Sequence, residues 1–154
     1  MHPRPLTIAI ILLGLLTAGA AAQERARVEL NRQIILTQRQ MIIEGNLPLT
    51  ASEAAAFWPL YREYRAAIEV PGKPMIDRLI AFAESPDTLT PAEAGRLLDE
   101  WLDYEASLLK IRREWVARFR AVLPTAKVTR FYQLENKLDA FLRCDAAQKI
   151  PLIE

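Results

Sequence analysis

Cysteine and histidine each occur once in this chain, and glycine only five times in 154 residues. With Cys144 alone, no internal disulfide can form. Its functional readings are an intermolecular disulfide or a redox-sensitive thiol. The plainer reading, and the favoured one, is a small side chain packed on the last helix, since free cysteine commonly behaves as a small hydrophobe. An excess of charge of one sign is also missing, because 20 Lys and Arg face 19 Asp and Glu. A neutral chain lacks the strongly basic domain that nucleic-acid binding usually shows, so nucleic acid is excluded as a partner. No stretch alternates polar and apolar residues with period two, which leaves helices as the only regular element to expect.

What is present begins with Arg4 and an apolar run from Leu6 to Leu16, followed by Ala18, Gly19, Ala20, Ala21 and Ala22. A basic residue, a short apolar core and small residues at alternate positions make a signal peptide over 1–22, with Gln23 as the first mature residue. The core is shorter than the roughly 20 residues needed to span a bilayer, so no stable membrane insertion is expected after cleavage. No cysteine follows the small residues, so no lipid anchor is indicated there. Cleavage removes Arg4 and no acid, leaving 19 basic against 19 acidic residues. It also removes His2, which excludes histidine-based nucleophile pairs, general bases and metal sites from the mature chain. No catalytic residue, cofactor or metal ligand is assigned, and the chain is read as a non-enzyme.

Residues 23–154 read as one all-α domain. The first helix is expected over about 24–44, with Gly45 as its C-terminal cap. Thr50 and Glu53, preceded by Leu49, form a capping box, in which the Thr50 hydroxyl accepts from the Glu53 N–H and the Glu53 carboxylate accepts from the Thr50 N–H. The helix behind it carries Phe57, Leu60, Tyr61, Tyr64 and Ile68 on one face, with Pro59 bending it. Val70-Pro71-Gly72-Lys73-Pro74 is expected to break the chain. A shorter helix with Met75, Ile76, Leu79, Ile80 and Phe82 facing one way follows, and Ser85-Pro86-Asp87 ends it. Leu89, Thr90 and Glu93 repeat the capping box, with Pro91 at the favoured first helical position. The longest helix then reaches about Val122 with the stripe Leu97, Trp101, Tyr104, Leu108, Ile111, Trp115, Phe119 and Val122. Leu98, Leu102, Leu109 and Val116 widen it, so that helix should pack on more than one partner. A last helix over about 125–144 presents Val128, Phe131, Leu134, Leu138 and Phe141, and the apolar tail Ile150 to Glu154 is placed to dock back on the body.

Charge is ordered along the long helix, with Asp99, Glu100, Asp103 and Glu105 early and Lys110, Arg112, Arg113, Arg118 and Arg120 late. Complementarity with the helix dipole predicts this order by itself, at roughly 0.3 to 1 kcal/mol per terminal charge. The sharper reading makes Arg112, Arg113, Arg118 and Arg120 a basic surface for an acidic protein partner. The tryptophans Trp58, Trp101 and Trp115 fall on or beside the core stripes and are read chiefly as packing residues.

The two segments Leu49-Thr50-x-x-Glu53 and Leu89-Thr90-x-x-Glu93, each opening a helix in an exported helical protein, resemble the Spy/CpxP-like periplasmic family with its repeated LTxxQ motif. Phe57-Trp58-Pro59-Leu60-Tyr61, and Leu123-Pro124 through Arg130-Phe131-Tyr132-Gln133-Leu134-Glu135-Asn136-Lys137-Leu138, look like a branch of related proteobacterial secreted proteins. The resemblance covers most of residues 40–154. It implies a long bent helical hairpin of four to five helices, pairing as an antiparallel homodimer with a curved surface. It further implies an ATP-independent chaperone or envelope-stress accessory that binds unfolded clients, or a regulatory subunit for one envelope sensor. The sequence departs from the family in carrying Glu for Gln in both motifs, in the Pro-Gly-Lys-Pro segment, and in having no mature histidine. Glu keeps the capping chemistry, and the missing histidine speaks against a histidine-based metal sensor.

Overall fold

The computed structural model describes residues 34, 37–84 and 89–153. The expected signal peptide, the start of the first helix and Ser85-Pro86-Asp87 lie outside the described residues. The chain divides into two compact units, 1–45 and 46–154. Every regular element among the described residues is helical, so the protein is all-α. Helix α1 covers residues 37–46. Gly45 lies inside it without a positive φ, so the glycine cap expected there is not formed.

The second unit holds three helices among the described residues: α2 (Ala51–Glu84), α3 (Pro91–Arg120) and α4 (Thr125–Lys149). Phe57 near the start of α2 meets Phe119 near the end of α3, and Tyr64 meets Trp115, so these helices run antiparallel. Arg112 pairs with Asp139 and Glu105 with Arg143, which makes α4 antiparallel to α3 and parallel to α2. The core is a ring cluster in which Phe57, Tyr61, Tyr64, Trp115, Phe119 and Phe131 are all buried. Phe119 and Phe131 stand 4.8 Å apart between ring centroids, and Phe57 and Phe131 5.2 Å apart at an interplanar angle of 81°. Edge and tilted pairs of this kind each add about 0.5–1.5 kcal/mol beyond the area they bury.

Five expectations are corrected. The break at Val70–Pro74 does not occur, because α2 runs uninterrupted through Pro59, Pro71 and Pro74. An interior proline costs about 3 kcal/mol through its lost N–H and its clash with the preceding turn. Burial of Tyr64, Gly72, Met75 and Phe82 on the same helix opposes that cost, so packing overrides the local preference. Leu98, Leu102 and Leu109 do not widen the packed stripe of α3, for they are 58%, 55% and 50% exposed. Phe141 is likewise open to solvent, and Cys144 is exposed rather than packed. Helix α4 also outlasts its expected end at Cys144 and continues to Lys149.

Candidate functional site

Both capping boxes form. At Thr90 the Glu93 N–H donates to the threonine Oγ1 at 3.3 Å, and the Thr90 N–H donates to Glu93 Oε2 at 2.8 Å. At Thr50 the matching distances are 3.3 Å from the Glu53 N–H and 2.7 Å to Glu53 Oε2. Leu49 and Leu89 are half-buried just ahead of the two caps. Glu53 does more than cap, because Lys127 Nζ donates to its Oε2 at 2.6 Å. That contact ties the first turn of α4 to the first turn of α2. The Lys127 hydrogen bond, with the Thr50 N–H behind it, holds the Glu53 carboxyl below the usual range, and the Thr90 N–H does the same for Glu93. A glutamine in place of Glu53 would keep the cap and lose the ion pair, so the acid at this position has a use of its own.

The four arginines do not form one surface. Arg112 turns toward α4, where its Nη2 donates to Asp139 Oδ2 at 2.7 Å and its carbonyl accepts from the Tyr132 hydroxyl at 3.0 Å. Arg118 lies over the Trp115 ring, its guanidinium carbon 4.4 Å from the centroid. Arg113 and Arg120 are exposed and, one heptad apart, share the outward side of α3. The basic surface is therefore Arg113 and Arg120 with Arg118 to one side, while Arg112 holds helices together.

A polar belt that the sequence did not disclose runs through the aromatic core. Arg65 Nη1 meets Glu135 Oε2 at 3.1 Å, with side chains 17% and 3% exposed. Burial first, and the Glu135 charge second, push the Tyr64 phenol up to about 12; burial likewise raises Tyr132. No group of three or more potential metal ligands occurs among the described residues.

Open space occurs near the end of α2 and the start of α3. Met75, Leu79 and Phe82 of α2, Ala94, Leu97, Leu98 and Trp101 of α3 and the tail Ile150–Ile153 line an apolar groove of about 310 Å³. The tail borders this groove but stays largely open to solvent, with Leu152 90% and Ile153 52% exposed. No sequence signal announced this groove, because its walls come from three separate segments. No known family, curated protein or solved structure matches the chain. No helix among the described residues is long and apolar enough to cross a membrane.

Proposed function

We propose that this chain is an exported periplasmic protein without enzymatic activity that binds other proteins, as an ATP-independent chaperone-like or envelope-stress accessory factor. The observation that carries this reading is the coexistence of a well-packed aromatic core with large apolar side chains left open. Leu98, Leu102 and Leu109 on α3 and Phe141 on α4 are at least half exposed, and the apolar groove adjoins Leu98. Clustered exposed apolar surface is the usual mark of a protein-binding face, and Arg113 and Arg120 beside it supply attraction for acidic segments. The resemblance to the Spy/CpxP-like family supports the same reading and adds pairing as an antiparallel homodimer.

The test is aggregation of a chemically unfolded client followed by light scattering without ATP. Suppression near stoichiometric ratios is expected. Failure on several unrelated clients would overturn the chaperone reading. The second reading is a regulatory subunit dedicated to one envelope sensor, which the small size of the groove favours, since about 310 Å³ admits a few chosen side chains rather than a varied set. Retention of a single protein in a periplasmic pull-down would decide for it.

A further inference from the structure

Helix α4 stops because Ile150 takes an extended conformation, φ −88° and ψ 119°, as a residue before proline prefers. The Ile150 N–H still donates to the Ala146 carbonyl at 3.1 Å, so the point where the chain leaves the helix is fixed. Beyond it, Pro151, Leu152 and Ile153 make no hydrogen bond or ion pair among the described residues. Apolar contact alone is left to hold them.

Across from this segment stand Met75, Leu79 and Phe82 of α2 and Leu97 and Trp101 of α3, around about 310 Å³ of space. Met75 and Phe82 are buried, while Leu79, Leu97 and Trp101 are half-buried. None of the lining side chains is charged, and the Trp101 indole N–H is the only strong donor among them. A backbone laid inside this groove would strand its N–H and C=O groups at a large cost, so only apolar side chains can enter. Segment 150–153 meets that condition, since it carries four consecutive apolar residues and stays at the rim, with Leu152 90% and Ile153 52% exposed.

We infer that segment 150–153 is a strap that closes over this groove by turning Leu152 and Ile153 inward, and that the apolar side chains of a bound protein must displace it. That displacement rests on the proposed protein binding; the closure itself does not. Both residues already line the groove, so closure needs rotation about the backbone of Pro151 to Ile153 and no movement of a helix. Tethering holds the strap at an effective concentration on the order of millimolar. The gain from burying two aliphatic side chains is comparable with the entropy lost in fixing three residues, which sets the closed share at roughly one half. A strap so balanced shields apolar surface from water and yields to a tighter occupant.

The test uses the full chain, as processed by the expressing cell, and the uncharged dye Nile red. Leu152→Ser/Ile153→Ser should keep the circular dichroism spectrum and the melting temperature, because both residues are exposed. It should bind the dye about twofold or more tighter, the factor for a strap closed half the time. Acrylamide should quench the tryptophan fluorescence of this variant more than that of the wild type, and the difference should vanish in a Trp101→Phe background. A peptide of residues 149–154, added at about millimolar concentration, should displace the dye from the variant, and the same peptide with serine at both positions should not. If the segment is only a wall of an open groove, losing two apolar side chains weakens dye binding instead. Weaker or unchanged binding, unchanged quenching, or a peptide that displaces nothing would each overturn the inference. None of these readouts contains a client, so they stand or fall apart from the aggregation assay. In that assay the variant should suppress aggregation at a lower ratio than the wild type, and an equal ratio would refute displacement by clients.

Discussion

Removing one partner of the Arg65–Glu135 pair should cost far more than removing both. The two side chains meet at 3.1 Å with Glu135 only 3% exposed, and Arg65 Nε is buried without a hydrogen-bond acceptor among the described residues. Arg65→Met removes the Arg65 ion pair from a buried carboxylate that lies near Tyr64, and Glu135→Leu leaves a half-buried guanidinium without this carboxylate. Breaking a buried pair in this way costs about 3–5 kcal/mol. For a chain of 154 residues, 3 kcal/mol lowers the unfolding midpoint by about 6–12 °C. The double variant Arg65→Met/Glu135→Leu fills the same space with apolar groups and should recover most of the loss, because the desolvation of two charges disappears with the pair. Urea unfolding of the four proteins measures this, with constant slope as the check that the unfolded state is unchanged. A spectroscopic readout separates electrostatics from packing. The Glu135 charge helps hold the Tyr64 phenol near 12, so Glu135→Leu should lower the tyrosine titration midpoint. Single variants each costing under about 1 kcal/mol, the range of solvated surface pairs, would show that water reaches this pair and refute the reasoning.

Phe57→Ala should destabilise by about 3–5 kcal/mol, since the ring is fully buried and touches Phe119 of α3 and Phe131 of α4 at once; calorimetry measures it. Stability should fall between pH 10 and 12, because Tyr64 has a folded value raised above the ordinary 10. Its contribution is complete below the unfolded value and is lost as pH rises toward the folded one; a flat alkaline profile would contradict it. At acid pH the sign reverses for Glu53 and Glu93, whose folded values lie below the ordinary 4.5. Their contribution is present above that value and lost as pH falls through the folded ones, and Glu53→Gln should flatten the acid limb seen by circular dichroism. Replacing Arg113, Arg118 and Arg120 by Ser should weaken client binding severalfold in low salt without altering the melting temperature, whereas Arg112→Ser should lower the melting temperature through loss of its Asp139 contact.

Local chemistry was enough to locate much of this protein. Thr50 with Glu53 and Thr90 with Glu93 announce two helix starts, because a capping box lies within four consecutive residues and needs nothing distant. The inward stripe of α3 through Leu108, Trp115 and Phe119 is equally local, since a 3.6-residue period marks a face before any partner is known. Tertiary structure alone decided the rest. Pro71 and Pro74 read as a break because their neighbours along the chain oppose a helix, but burial of Gly72 and Met75 outweighs that preference. Leu98, Leu102 and Leu109 read as further core because hydrophobicity does not say how many helices will arrive to cover them. Arg112 and Arg113 are adjacent in sequence, yet one braces α4 and the other faces outward, since a rotation of about 100° per residue separates their surroundings. The Glu53–Lys127 and Arg65–Glu135 pairs join residues 74 and 70 positions apart, and only packing of α2 beside α4 brings them within reach.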